Sequence, residues 1–202
     1  RPAAGVPRYG LGANQRQALQ EYLAERDRAL GPGEKVNLSL EALNCAACHE
    51  RDGQGGPDGA RQAYFLGDPN LGDTGRFPPP LTGVGRKLQP KWLEQTLNGA
   101  VRVRPYLQTR MPHYGAAAAP LPALLALADA RRETDLPAGG LEAGRKLLGT
   151  LGGVSCITCH RWGERASVGI QALDISNLAA RLQPGGLRDY LINPAAYRAG
   201  TL

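Results

Sequence analysis

The chain has 202 residues, of which 42% are hydrophobic but only 5% aromatic, and it carries 27 Gly, 16 Pro and a formal net charge of +6. That length suits two small domains, and lobes so poor in aromatic bulk need a staple such as a disulfide, a metal or a bound group. The basic residues are spread out, with no run longer than Arg131–Arg132, which argues against a nucleic-acid tract, and no stretch reaches the roughly 18 apolar residues that cross a bilayer.

In chain order, Asn14 reads as the N-cap of a helix closed by Gly31-Pro32, with Leu19, Tyr22, Leu23 and Leu30 on one face. A second helix is expected over 39–49. Residues 54–75, rich in Gly, Asp and Pro, read as an extended surface loop. A helix opened by Pro90 covers 90–101, with Trp92, Leu93, Thr96 and Leu97 inward. Residues 122–131 give another. The stretch 133–140 reads as a linker, 141–151 as a helix with Leu147, Leu148 and Leu151 inward, and 184–192 as a last helix. No strand is expected. No signal peptide is visible at Arg1, as in a processed chain.

All four cysteines and two of the three histidines fall into two copies of one pattern, Cys45-Ala46-Ala47-Cys48-His49 and Cys156-Ile157-Thr158-Cys159-His160. C-x-x-C-H is the signature of c-type haem attachment. Thiols at that spacing reach the two vinyl groups on one porphyrin edge, and the adjoining imidazole lies under the iron. A chance copy in a chain of this composition arises on the order of once in a thousand, and two that use every cysteine far less often. A four-cysteine zinc ribbon needs its knuckles roughly 15–20 residues apart, whereas Cys48 and Cys156 are over a hundred positions apart. A thioredoxin-like pair needs a βαβ context, and a disulfide inside each pair would be strained.

A longer repeat surrounds the motifs. Val84-Gly85-Arg86-Lys87-Leu88-Gln89-Pro90 aligns with Leu178-Ala179-Ala180-Arg181-Leu182-Gln183-Pro184, and Thr109 with Thr201. The interval from Cys45 to Gln89 is 44 and from Cys156 to Gln183 is 27, so the first copy carries 17 extra residues.

With these residues in hand, both halves resemble class I cytochrome c. Pro79-Pro80-Leu81-Thr82-Gly83 resembles the family's Pro-x-Leu-x-Gly stretch, and Thr109-Arg110-Met111-Pro112 its distal methionine loop. Two such lobes resemble the dihaem cytochromes of bacterial respiratory chains. The resemblance implies an all-α fold of two tandem class I cytochrome c-like domains, each wrapped around one covalently attached haem. The domains are 1–132 with an N-terminal extension, the linker 133–140, and 141–202, a lobe the family pattern would continue past its C-terminus. It implies two haem c groups held by Cys45, Cys48, Cys156 and Cys159, with His49 and His160 as proximal ligands and a proline carbonyl accepting the proximal histidine's other N–H. In the second half Ala172-Leu173-Asp174-Ile175 replaces those prolines, which puts its bond in doubt.

Met111, the single methionine, is the expected sixth ligand of the first iron, with His113 as rival. Met/His ligation raises the potential and favours electron transfer. For the second iron three readings stay open: a ligand on chain beyond Leu202, a group such as Tyr197, Lys146 or a neighbouring chain's residue, or an open position. Arg102, Arg104 and Arg110 are either propionate partners or a solvated basic loop. Trp162 is expected to pack on a haem edge, and Tyr106 and Tyr114 to meet propionates or cover the pocket.

The expected function is single-electron transfer between a protein donor and a protein acceptor outside the cytoplasm, in the periplasm, with no catalytic residues and no nucleic-acid partner. The alternatives are a haem enzyme or ligand-binding site at the second iron, and the cytochrome module of a larger dehydrogenase or respiratory complex.

Overall fold

The computed structural model describes residues 9–25, 29–102, 104, 106–130, 140–169 and 174–196. The described chain is mostly helical and divides into two units, one ending at Gly31 and one beginning at Pro32. Among the described residues no helix is long and apolar enough to cross a membrane.

The first unit holds α1 (Ala13–Glu25). It starts before Asn14, so that residue lies inside the helix rather than capping it, and the Gln15 side chain takes the Gly12 amide instead at 2.9 Å. The expected apolar face exists as a stripe but stays in water: Leu19, Tyr22 and Leu23 are all exposed.

In the second unit, α2 (Pro32–Ala42) begins at a proline, whose missing N–H costs nothing in a first turn. The helix expected to run through to His49 stops at Ala42. Asn44 takes a left-handed backbone (φ 55°, ψ 30°), a conformation Asn tolerates better than most residues, and it sets off a separate 3-10 turn over Cys45–Ala47. Two short strands follow, β1 (Glu50–Arg51) and β2 (Gln54–Gly55), paired antiparallel. Asp52 and Gly53 between them both have positive φ, the geometry of a type I′ hairpin, so the Asp-Gly pair did carry a strand signal.

Next come α3 (Val84–Lys87), α4 (Pro90–Leu97) and α5 (Leu121–Ala128). The last two are shorter than expected. Gly99 at φ 70° turns the chain after α4, and the chain turns again at Ala130 (φ 48°) beyond α5. Val36 and Leu40 of α2 pack with Val84, Leu93, Leu121, Leu125 and Cys45 in one core. Gly85 lets α3 and α5 touch: a Cβ there would stand 2.1 Å from the Leu125 carbonyl oxygen. Where this core ends, Arg51 donates to Asp129 at 2.6 Å with both side chains at most 10% exposed. The same carboxylate accepts the Gly85 amide at 2.6 Å, and Arg51 also donates to the Leu81 carbonyl at 2.8 Å.

The second half repeats these parts. It has α6 (Leu141–Leu148), a 3-10 turn over Cys156–Thr158, α7 (Leu178–Arg181) and α8 (Pro184–Ile192). The last matches its expected bounds, while α6 stops three residues short. Trp162 pairs with Arg165 as Arg51 pairs with Gln54. Leu81 donates to the Glu50 carbonyl at 2.7 Å and Ile175 to the Arg161 carbonyl at 2.9 Å. The first bond spans 31 positions and the second 14, a difference of 17 that matches the sequence intervals. Gly56 donates to the Ala46 carbonyl across 10 positions and Val168 to the Ile157 carbonyl across 11, so the first copy is no longer than the second up to Gly56 and its extra residues enter after it.

The two repeats meet through their Gln-Pro segments. Leu88 and Leu182 form an antiparallel bridge. The Gln89 amide donates to the Arg181 carbonyl and the Gln183 amide to the Lys87 carbonyl, each at 2.9 Å. Gln89 Nε2 donates to the Leu182 carbonyl at 3.1 Å, and Gln183 Nε2 donates to Leu88 at 2.7 Å and to Gly85 at 2.8 Å. The linker positions 133–139 lie outside the described residues.

The Arg51–Asp129 pair gives the first prediction. Asp129→Ala removes the buried partner of Arg51, which keeps the Leu81 carbonyl and the exposed Asp52 carboxylate at 3.4 Å, and unpairs the Gly85 amide. It should lower unfolding free energy by about 3–5 kcal/mol, whereas an apolar pair of similar volume at both positions should cost far less. Urea unfolding of the two single variants and the double variant checks this.

Candidate haem-attachment site

The two motif turns are built alike. Ser155 repeats the left-handed backbone of Asn44 (φ 60°, ψ 30° against 55° and 30°). In the first, the Cys48 and His49 amides reach the Cys45 carbonyl at 3.1 and 2.9 Å. In the second, the Cys159 and His160 amides reach the Cys156 carbonyl at 3.2 and 2.9 Å. Each turn thus holds two thiols and an imidazole on one tight loop of backbone. All four cysteines are free thiols, so no disulfide closes either pair. Among the described residues no three His, Cys, Asp or Glu side chains gather as a metal-binding group.

His49 is half-buried, and its Nδ1 donates to the Pro79 carbonyl at 2.7 Å. That bond spends the Nδ1 proton, so the neutral ring keeps its lone pair on Nε2 and is fixed in orientation. Burial pushes the imidazolium below the ordinary histidine range; the Pro79 bond works against this and the Arg104 charge works with it. Of Arg102, Arg104 and Arg110, Arg104 places its charge by His49. Arg102 donates to the Leu107 carbonyl at 2.7 Å, and Arg110 is exposed. His160 is half-buried on its own turn; the position in register with Pro79 is Leu173, outside the described residues.

Cys45 is buried in the core while Cys48, Cys156 and Cys159 are half-buried. Burial raises the Cys45 thiol, and a hydrogen bond from the Tyr114 phenol lowers it in part. Burial and the facing Cys45 push Tyr114 up to about 12. Sequence alone offered Tyr114 as a partner of propionates or a pocket cover; its contact with the first thiol follows from α5 drawing the chain back over α2.

Met111 is half-buried, three positions before Tyr114. Its rival His113 is exposed and lies against the end of α4: a Cβ on Gly99 would stand 2.1 Å from His113 Nε2. Tyr106 is half-buried. In the second repeat, Trp162, Leu148, Ile157, Arg145 and Arg165 line a cavity of about 590 Å³ beside the motif turn, a volume in the range of ligand and cofactor sites. The Lys146 stem runs beside Gly152, and Tyr197 and Thr201 lie outside the described residues.

The residues fit a covalently held haem. In the first turn two thiols free to form thioethers stand beside an imidazole whose Nδ1 is spent on Pro79, and the second turn repeats the two free thiols and the adjoining histidine.

No family model, curated protein or solved structure matches the chain.

A test of the thiol electrostatics needs only the haem-free protein. Burial holds Cys45 protonated to higher pH than an ordinary thiol, so its alkylation rate should rise only through that higher range. Tyr114→Phe removes the donor that stabilises the thiolate and should shift the Cys45 profile further up. Mass-resolved alkylation against pH reads both.

Proposed function

We propose that this chain is a dihaem c-type cytochrome that moves single electrons between protein partners outside the cytoplasm. The observation that carries the proposal is the hydrogen bond from His49 Nδ1 to the Pro79 carbonyl, set beside a motif turn that occurs twice with the same backbone. A histidine used only for packing has no need of a fixed tautomer with Nε2 left open, whereas an axial ligand does.

On this reading Cys45 and Cys48 hold the first haem and Cys156 and Cys159 the second, with His49 and His160 as axial ligands and Met111 as the sixth ligand of the first iron. When bound, the haem supplies reversible one-electron chemistry at its iron. The protein's part is to hold, orient and shield. The Pro79 carbonyl fixes the His49 ring. Val36, Leu40 and Leu121 keep water from one side of the first motif. Arg104 places positive charge beside it, suited to a propionate. The two repeats then are tandem class I cytochrome c-like domains. Thioether formation points to an extracytoplasmic compartment, since attachment by this motif needs reduced thiols and exported haem.

The net charge of +6 would be offset in part by four propionates, leaving a modest positive excess for meeting acidic redox partners.

Expressed with the machinery that attaches haem c, the chain should gain the mass of two haems that survive denaturation. Cys45→Ala with Cys48→Ala should leave one haem, and a redox titration of the parent should show two reversible one-electron waves. A chain of unmodified mass from a host that matures other c-type cytochromes would refute the proposal.

A further inference from the structure

The extra residues of the first repeat form a tethered structure with no counterpart among the described residues of the second. They enter after Gly56 and end before the Pro79–Leu81 stretch. The segment closes on itself: a Cβ on Gly67 would stand 1.8 Å from the Gly75 carbonyl oxygen, so that contact exists only because residue 67 has no side chain. Asp68 donates to the same carbonyl at 3.3 Å. Arg76 ties the segment inward, donating to the Gln62 carbonyl and to Asp73 at 2.9 Å each and lying 4.0 Å over the Phe77 ring. Phe65 meets Phe77 edge to face at 5.9 Å and is only 7% exposed, between the exposed Tyr64 and Leu66.

Next to this anchor the segment reaches the methionine loop. The Gln108 amide donates to the Leu66 carbonyl at 3.0 Å. Gln108 sits three positions before Met111, in the connection 98–120 between α4 and α5. Connections of that length without long regular elements are uncommon and need tethers to hold one conformation. Two others hold the far end: Tyr114 donates to the Leu97 carbonyl at 3.3 Å, and its phenol faces Cys45. Leu66 thus holds the near side of Met111 and Tyr114 the far side.

We propose that the segment between Gly56 and Pro79 is a brace that positions the methionine loop, with Phe65 as its anchor and the Leu66 carbonyl as its grip on Gln108. This deepens the haem reading and rests on it. The brace keeps the Met111 thioether at the first iron and so keeps that iron closed to outside ligands. Phe65 is a positioning residue that acts through Leu66 and Gln108.

The test compares the holoprotein with Phe65→Ala, Gln108→Pro and Phe65→Leu. Phe65→Ala should abolish the slow hydrogen exchange of the Gln108 amide. Both it and Gln108→Pro should weaken the methionine-to-iron absorption band and raise cyanide affinity at the first haem by about tenfold or more, the scale on which supporting contacts act at metal sites. The second haem should keep its parent spectrum as an internal control, and Phe65→Leu should restore the band. Cyanide binding within about twofold of the parent in both disruptive variants, with the Gln108 amide still protected in Phe65→Ala, overturns the brace. A preparation lacking haem would instead sink the haem reading, and the exchange of Gln108 in parent and Phe65→Ala would then decide the brace alone.

Discussion

A single hydrogen bond, from His49 Nδ1 to the Pro79 carbonyl at 2.7 Å, sets the condition the rest of the first repeat meets. For the carbonyl to be there, the chain must return from residue 56 across the inserted segment and be pinned. The pin is the Leu81 amide on the Glu50 carbonyl, beside the motif histidine. Arg51 then grips the Leu81 carbonyl and Asp129 together, which joins the motif hairpin to the end of α5. The α5 helix in turn covers Val36 and Leu40, which are 0% and 6% exposed. Burying two such side chains is worth about 1.5–3 kcal/mol each. The geometry of one ring nitrogen is therefore supported by the same contacts that make the core.

The second repeat uses the same backbone with different support. Ser155 copies Asn44, Trp162 stands where Arg51 stands, and Ile175 binds the Arg161 carbonyl as Leu81 binds that of Glu50. Yet Leu147 and Leu151, in register with Val36 and Leu40, are 53% and 88% exposed. Among the described residues nothing corresponds to α5. The turn around the motif is thus a local structure: its left-handed residue and its bonds to the first cysteine's carbonyl form without the long-range cover seen in the first repeat.

How far this was legible depends on the range of each interaction. The motif, the Gln-Pro repeat and the count of 17 extra residues are sequence-local, and the hydrogen-bond register agrees with each. Pro184 opening α8 and Pro90 opening α4 follow from φ alone. Helix ends fall short of the expected bounds where a left-handed residue intervenes, as at Asn44, because apolar spacing carries across such a break without a sign. The tight hairpin at Asp52-Gly53 leaves no periodic trace; strands of two residues are too short for alternation to register. The Arg51–Asp129 pair and the Tyr114–Cys45 contact join residues 78 and 69 positions apart, and no local pattern encodes such partners.

The Gln-Pro repeat shows why a motif can be legible and its role hidden. Each copy reads as a helix start, since proline suits a first turn and the residue before it must be extended. Gln89 and Gln183 are extended for that reason, with ψ 136° and 142°, and Leu88 and Leu182 before them continue the extended stretch, with ψ near 146° and 143°. An extended residue exposes its amide and carbonyl, and two copies of one such segment can pair with each other about a local two-fold. Gln89 and Gln183 complete the pairing with their side-chain amides, and Gln183, only 4% exposed, satisfies two carbonyls of the opposite repeat. A buried amide placed this way tolerates little slippage, because moving it leaves polar atoms unpaired at about 1–3 kcal/mol each. The element that was duplicated is thus also the element that fixes the duplicates together. Two copies of the motif turn are held in one defined relation by the same residues that open α4 and α8.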